Sequence, residues 1–235
     1  MLNAVRRFGD LQAGSIWSDL AAELPGLSGT LVDAGCGAQP YRELLPAAVS
    51  YVAIDTSDAP PRFGYRAGDT RYYSGTTWPV ETGSADIVLC TETLEHVAEP
   101  SLFLAEMRRC LRSRGRILIT VPFAARWHFI PYDYWRFTPS GLDRLLTQAG
   151  FEAVTVHARG NALTVACYKL MALFLPFLFP RTSNPVSRVA LRLLGVLCVP
   201  SLALLALLGW LSLRWPGGDD CLGYTVLAER SDDRK

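Results

Sequence analysis

The sequence predicts an α/β fold, a mostly parallel β-sheet with helices on both faces. Three observations carry that prediction. Short runs rich in β-branched residues alternate with helical stretches between residues 30 and 158, the pattern of a sheet wound by crossover helices. Acidic residues or glycines stand where the first strands should give way to loops, as ligand-binding α/β sheets require. The 235 residues suffice for one sizeable core and an appendage but would crowd a two-domain enzyme.

Residues 11–24 open the pattern, with Leu11, Ile16, Leu20 and Leu24 near helical spacing, so an amphipathic helix precedes the first strand. TLVDAG (30–35), YVAID (51–55), ADIVLC (85–90), GRILITVP (115–122) and EAVTVHA (152–158) read as strands, each bounded by Gly, Pro or polar residues. The clearest helices are 99–112 and 140–150. The second opens at Pro139-Ser140 and closes at Gly150, which is the chemistry of helix caps. Two apolar segments then break the alternation, 163–180 and 193–213, before CLGYTVLAER (221–230) returns to a strand-like pattern and Ser231–Lys235 forms a polar tail.

Half the residues are hydrophobic and the formal net charge is +1, so the chain lacks the basic footprint of a nucleic-acid binder. Charge is distributed unevenly, however. From Arg159 to Gly218 every charged residue is basic (Arg159, Lys169, Arg181, Arg188, Arg192 and Arg214). The six cysteines have neither CxxC nor Cys/His spacing, as befits buried thiols in a reducing compartment. Gly9, Asp10, Gln12 and Asp19 follow Arg6 and Arg7 where a cleaved signal needs an apolar core, so export by that route is not expected.

The first strand ends in Val32-Asp33-Ala34-Gly35-Cys36-Gly37. Glycine at such a turn lets a ligand approach the backbone, and the acid and amides supply hydrogen bonds. The second strand ends at Asp55, about twenty residues on, where a carboxylate meets a ribose diol in this architecture. Asp69, in Gly68-Asp69-Thr70, falls where a third strand should end. With SADIVLCTETLEHVAEP, these motifs resemble the class I S-adenosylmethionine-dependent methyltransferases, specifically the type 11 domain, over Thr30 to Phe151.

The resemblance implies a Rossmann-like sheet with an antiparallel last strand, S-adenosyl-L-methionine as cofactor, and an apolar helical insertion before that strand. It assigns Asp33, Gly35 and Gly37 to the methionine end of the cofactor, Asp55 to the ribose and Asp69 to the adenine side. The Thr91-Glu92-Thr93-Leu94-Glu95-His96 loop would line the sulfonium, placing Thr91 and Glu92 at the cofactor, with the LEH triplet supporting the loop and acid–base catalysis by Glu95 and His96 the competing reading. Ala38-Gln39-Pro40-Tyr41 replaces the third glycine of dinucleotide-binding turns, which disfavours a nicotinamide oxidoreductase.

The loop after the fifth strand packs His128, Tyr132, Asp133, Tyr134 and Arg136 into eleven residues ending at Thr138. So aromatic and charged a loop is costly to order unless it lines a site; packing alone is the competing explanation. It is similar to the H…PYDYWRFT loop of type 11 methyltransferases that accompany polysaccharide or glycolipid biosynthesis, which implies an acceptor pocket here. Methyl transfer needs a base only if the acceptor loses a proton, as a sugar hydroxyl must. His128 is then the candidate base and Asp133 its orienting partner or the alternative base. Tyr132, Tyr134 and Arg136 would position the acceptor, Arg136 suiting a carboxylate or phosphate. No His, Cys and carboxylate spacing suggests a metal, so none is expected.

The domain reading is a helical segment (1–29), the cofactor-binding core (30–160), an apolar insertion (161–218), and the last strand with its tail (219–235). Both ends of the insertion belong to the same sheet and must lie on one side of any membrane. One isolated span through 193–213 is therefore excluded, and a two-span hairpin would place Arg181, Arg188 and Arg192 against the positive-inside tendency. Pro176, Pro180 and Pro200 are expected to interrupt the helices. The reading that survives is a monotopic or peripheral element on the cytoplasmic leaflet, with a buried cap or homodimer interface as the alternative. A lipid-linked glycan, glycolipid or polyprenyl-linked acceptor follows. A lipophilic small molecule such as a quinone, or a non-catalytic membrane-binding module, is the competing reading.

Overall fold

The computed structural model describes residues 7–232 apart from 66 and 181; Arg6, Arg181 and the end of the polar tail, named above, lie outside the described residues. One seven-stranded sheet has the order β3-β2-β1-β4-β5-β7-β6. Its strands are β1 (Gly29–Ala34), β2 (Val49–Thr56), β3 (Arg71–Tyr73), β4 (Ala85–Thr91), β5 (Leu111–Pro122), β6 (Phe151–Arg159) and β7 (Gly223–Arg230). β1 pairs in parallel with β2 and β4, and β4 with β5. β7 runs antiparallel to β5, from Arg116 opposite Glu229 to Pro122 opposite Gly223.

The helices are α1 (Leu11–Glu23), α2 (Ala59–Phe63), α3 (Pro100–Cys110), α4 (Pro139–Gln148), α5 (Ala162–Leu178) and α6 (Pro185–Ser212). The middle stretches of the central strands are apolar, as in a sheet covered on both faces: Leu31, Val32, Val88, Cys90, Ile117 and Ile119 are fully buried. α4 begins where Thr138 Oγ1 accepts the Gly141 N–H. The order reverses between β1 and β4, the two neighbours of the first glycine loop. Such a switch point opens a crevice at the carboxyl ends of the strands.

Contacts divide the chain into two compact units, one of residues 18–157 with 223 onward, the other of residues 7–17 with 158–222. In the second unit the first helical residues pack with the apolar insertion. Trp210 Nε1 donates to Phe8 O at 3.0 Å, the two rings stack 6.5 Å apart, and Gln12 Nε2 donates to Leu222 O. Asn161 caps α5 with a capping box completed by Thr164, whose hydroxyl shares a buried 2.6 Å hydrogen bond with Ser212.

The expected proline interruptions are not seen. α5 continues through Pro176 and α6 through Pro200. Each proline removes one intrahelical donor, while side-by-side packing of the two helices holds their axes. α6 spans 28 residues, about 42 Å at 1.5 Å per residue, and is long and apolar enough to cross a membrane. Its most apolar stretch is only 17% buried. Phe179, Val186, Leu193 and Leu197 are each more than 60% exposed.

Candidate active site

The crevice is built from the first two strands outward. Gly35 and Gly37 adopt left-handed backbone angles, φ +74° and +52°. A Cβ on Gly35 would stand 2.3 Å from Thr93 Cγ2, and one on Gly37 would stand 3.0 Å from the Tyr65 ring. The turn is tied to β2 because Gly35 N and Cys36 N both donate to Ile54 O. Asp55, at the end of β2, accepts the Gly37 N–H through Oδ2 at 3.1 Å and the Thr56 N–H through Oδ1 at 2.8 Å.

Asp33 lies beneath this turn, 3% exposed. Tyr51 Oη donates to its Oδ2 at 2.6 Å, while Oδ1 is buried with no partner. Burial pushes its carboxyl up to about 7, Tyr51 pulling it down and nearby Asp55 pushing it further up. Burial likewise raises Asp55, with the Gly37 and Thr56 amides pulling the other way.

These residues open into a cavity of about 300 Å³ at the carboxyl edge of the sheet. Aromatic rings line much of it, among them Phe63, Tyr65, Tyr73, Trp78 and Phe103. Among its described lining residues Asp55, Glu92 and Glu99 are acidic and Arg62 is basic, and Arg62 is bonded to Asp58 at 2.8 Å. The cavity is therefore suited to a cationic ligand and poorly suited to a pyrophosphate. Glu92 holds φ +46°, a conformation that costs a non-glycine residue free energy and clusters at functional sites.

Of the residues singled out in the sequence, Gly35, Asp55 and Glu92 line the cavity, while Asp33 near the end of β1 and Gly37 in the turn after it are bonded to Tyr51 and Asp55. Thr91 ends β4 without lining the cavity wall. Asp69 departs from expectation. It precedes β3 instead of ending it, and its carboxylate accepts from Gln39 Nε2 at 2.7 Å and pairs with Arg42. It braces the loop after the glycine turn; Tyr73, Gly75 and Thr76 occupy the edge position expected of it.

The 128–136 loop stands behind His96, which does line the cavity. The His96 and His128 rings meet edge to face with centroids 4.9 Å apart. Tyr132 O accepts from His96 Nδ1 at 2.7 Å, and the Tyr132 ring carries the Arg62 guanidinium 4.4 Å from its centroid. Asp133 lies 3.1 Å from His128 Nδ1 and accepts the His128 backbone N–H. Its other partner is Arg136, bonded through both terminal nitrogens at 2.6 and 2.8 Å. Burial pushes the Asp133 carboxyl up, but these bonds outweigh it and hold it near 2. Arg136 thus spends its charge inside the loop, contrary to the expectation that it meets an acceptor anion. Tyr134 is half-exposed, its N–H bonded to Glu95 O.

A methyltransferase domain family matches residues 7–156. The chain belongs to that methyltransferase family. A Streptomyces fradiae relative, an uncharacterized 37.1 kDa protein of transposon TN4556, is 32% identical over 135 residues, covering 51% of this chain. The chain's match spans 36% of that relative's length. A putative sarcosine dimethylglycine methyltransferase from Galdieria sulphuraria superposes with TM-score 0.58 at 16% identity, over 94% of this chain and 87% of the other. A Thermotoga maritima S-adenosylmethionine-dependent methyltransferase, described as a possible histamine N-methyltransferase, gives 0.55 at 13%, over 98% and 96%. Phosphoethanolamine N-methyltransferase 2 of Haemonchus contortus, solved with phosphomonomethylethanolamine and S-adenosylhomocysteine, gives 0.52 at 13%, over 92% and 53%. These likenesses establish the methyltransferase fold, and S-adenosyl-L-methionine is the cofactor of the family.

The sequence left His96 between supporting its loop and acid–base chemistry, and it did not single out Phe63, Tyr65 or Trp78. The aromatic residues scattered between β2 and β4 were the available signal, because loops near a sheet's carboxyl edge are where ligands meet an α/β fold.

Proposed function

We propose that this chain is an S-adenosylmethionine-dependent methyltransferase working at a membrane surface on a glycan, glycolipid or polyprenyl-linked acceptor. The acidic, aromatic cavity at the β1–β4 switch point is the observation that carries the enzymatic reading. The cofactor, when bound, supplies a methyl group made electrophilic by a sulfonium. Asp55 has lone pairs left to accept from a ribose diol after its two amide bonds. The unpartnered Oδ1 of Asp33 suits an ammonium group, and the two glycines keep side chains out of the space between. Glu92 and Glu99 oppose the positive charge of a bound cation.

At the acceptor end, carbonyl oxygens fix the tautomers of both histidines. Tyr132 O holds His96 Nδ1–H, and Arg126 O holds His128 Nδ1–H with Asp133 beside it. Each Nε2 is left with a lone pair able to take a proton from an acceptor hydroxyl. The aromatic wall excludes water, which strengthens such charge interactions.

The exposed apolar face of α5 and α6 supports the membrane reading. A core helix of this composition would be buried, whereas this one leaves a broad hydrophobic surface in contact with solvent. Lys169, Arg188, Arg192 and Arg214 on the same unit suit anionic head groups.

Calorimetric titration with S-adenosylmethionine and S-adenosylhomocysteine, with Asp55→Ala alongside, tests the cofactor site. Labelled methyl recovered in the lipid phase of a membrane extract identifies the acceptor class. Wild-type protein that is folded yet binds neither ligand refutes the enzymatic reading, and label confined to the aqueous phase refutes the lipid-linked acceptor.

A further inference from the structure

The most unusual group near the cavity is Glu95. It is fully buried, and neither carboxylate oxygen has a hydrogen-bond partner. A carboxylate taken out of water without a partner costs several kcal/mol. Glu95 Oε1 lies 3.6 Å from His96 Nε2, the nitrogen left unprotonated once Nδ1–H is given to Tyr132 O. A lone pair facing a carboxylate is repulsive unless something positive joins them.

We infer that Glu95, His96 and His128 bind a divalent transition-metal ion of the zinc type at the acceptor side of the cavity. One carboxylate oxygen and one ring nitrogen from each histidine lie within 4.8 Å of one another. Both imidazoles have the support that metal-ligating histidines show, Nδ1 anchored on a backbone carbonyl, and His96 Nε2 faces Glu95. Two imidazoles and a carboxylate are a ligand set zinc favours, with a coordination position left for water or substrate. Bonds of about 2.0–2.1 Å put tetrahedral donors about 3.3 Å apart, so the triad must contract. His128, on a loop and with 35% of its side chain exposed, has the freedom to rotate inward.

His96 lines the cavity, so an acceptor hydroxyl that entered the open position would be polarised and would give its proton up more readily to solvent water. In that form the imidazoles act on the acceptor through the ion instead of taking the proton themselves. The metal site rests on the three side chains; only this catalytic use of it rests on the methyltransferase reading.

The test is Zn²⁺ titration of the full chain after dialysis against a chelator, followed by calorimetry, with Co²⁺ substitution read by visible absorption. One ion should bind per chain, and Co²⁺ should give the intense bands of a four-coordinate site. Glu95→Gln and His128→Ala should each weaken Zn²⁺ binding at least tenfold, whereas His157→Ala, removing the one histidine outside the cluster, should not. His128→Ala alters an exposed loop and keeps the comparison meaningful if Glu95→Gln unfolds. Folded wild type that binds no Zn²⁺ or Co²⁺ overturns the proposal, as does affinity unchanged in both variants. A parallel S-adenosylmethionine titration separates the two readings: metal bound without cofactor leaves the site standing and removes the methyltransferase reading.

Discussion

Replacing Asp33 with asparagine sets stability against ligand binding at one atom. Burial lifts the Asp33 carboxyl from its ordinary 3.8 to about 7. The unfolded chain releases this proton near 3.8, so between about pH 4 and 7 the native state binds more protons than the unfolded one. Stability therefore falls as pH rises through that window. The difference is worth about 4 kcal/mol above pH 7, at 1.36 kcal/mol for each pH unit. Asparagine escapes this penalty, but its amide nitrogen takes the place of the unpartnered Oδ1, an unsatisfied buried donor costing about 1–3 kcal/mol. Asp33→Asn should accordingly be about 1–3 kcal/mol more stable than wild type at pH 8, the advantage shrinking with acidification and reversing near pH 4. Urea unfolding from pH 4 to 8 measures it. Cofactor affinity should move oppositely. A bound ammonium favours the ionised carboxylate, so wild-type binding should weaken about tenfold for each pH unit below 7, and the variant should bind weakly at every pH. A variant that is less stable than wild type at pH 8 and binds cofactor normally would refute the reasoning.

Gly35→Ala should lose cofactor binding and cost at least about 2 kcal/mol by thermal unfolding, because its Cβ strikes Thr93 and left-handed angles already cost alanine about 1–2 kcal/mol. Asp133→Asn should destabilise the chain by about 2 kcal/mol at pH 7. Its folded value near 2 lies below the ordinary 3.8, so wild type owns that stability above about pH 4 and loses it as pH falls through 2, a difference visible in acid titration of the two proteins. Leu193→Glu with Leu197→Glu should leave cofactor binding intact, since both side chains are exposed, yet abolish flotation with anionic vesicles; undiminished flotation would count against the membrane reading.

The sheet was legible because its strands are short, β-branched and bounded by turn residues, and the glycine turn announced the edge where ligands bind. β3 was not, since Arg71–Tyr73 carries no β-branched residue. That gap displaced Asp69, a residue expected to end the strand that in fact precedes it. The prolines of α5 and α6 misled for another reason, as local propensity yields to helix packing. The Glu95, His96 and His128 cluster had no spacing to betray it: the ligands come from the loops after β4 and β5, parallel neighbours in the sheet, so only tertiary structure joins them. The Arg136–Asp133 bond is similar, a pairing three residues apart that turns an apparent substrate clamp into a strut.

The order of strands along the chain constrains how the molecule is made. β7 lies between β5 and β6 but is synthesised after both α5 and α6. At about 5–20 residues per second, the roughly sixty residues between β6 and β7 occupy the ribosome for about 3–12 s. During that interval β5 lacks its antiparallel neighbour. The sheet cannot close until the whole apolar insertion has been made, so the most hydrophobic helices of the chain come ahead of the strand that completes the core.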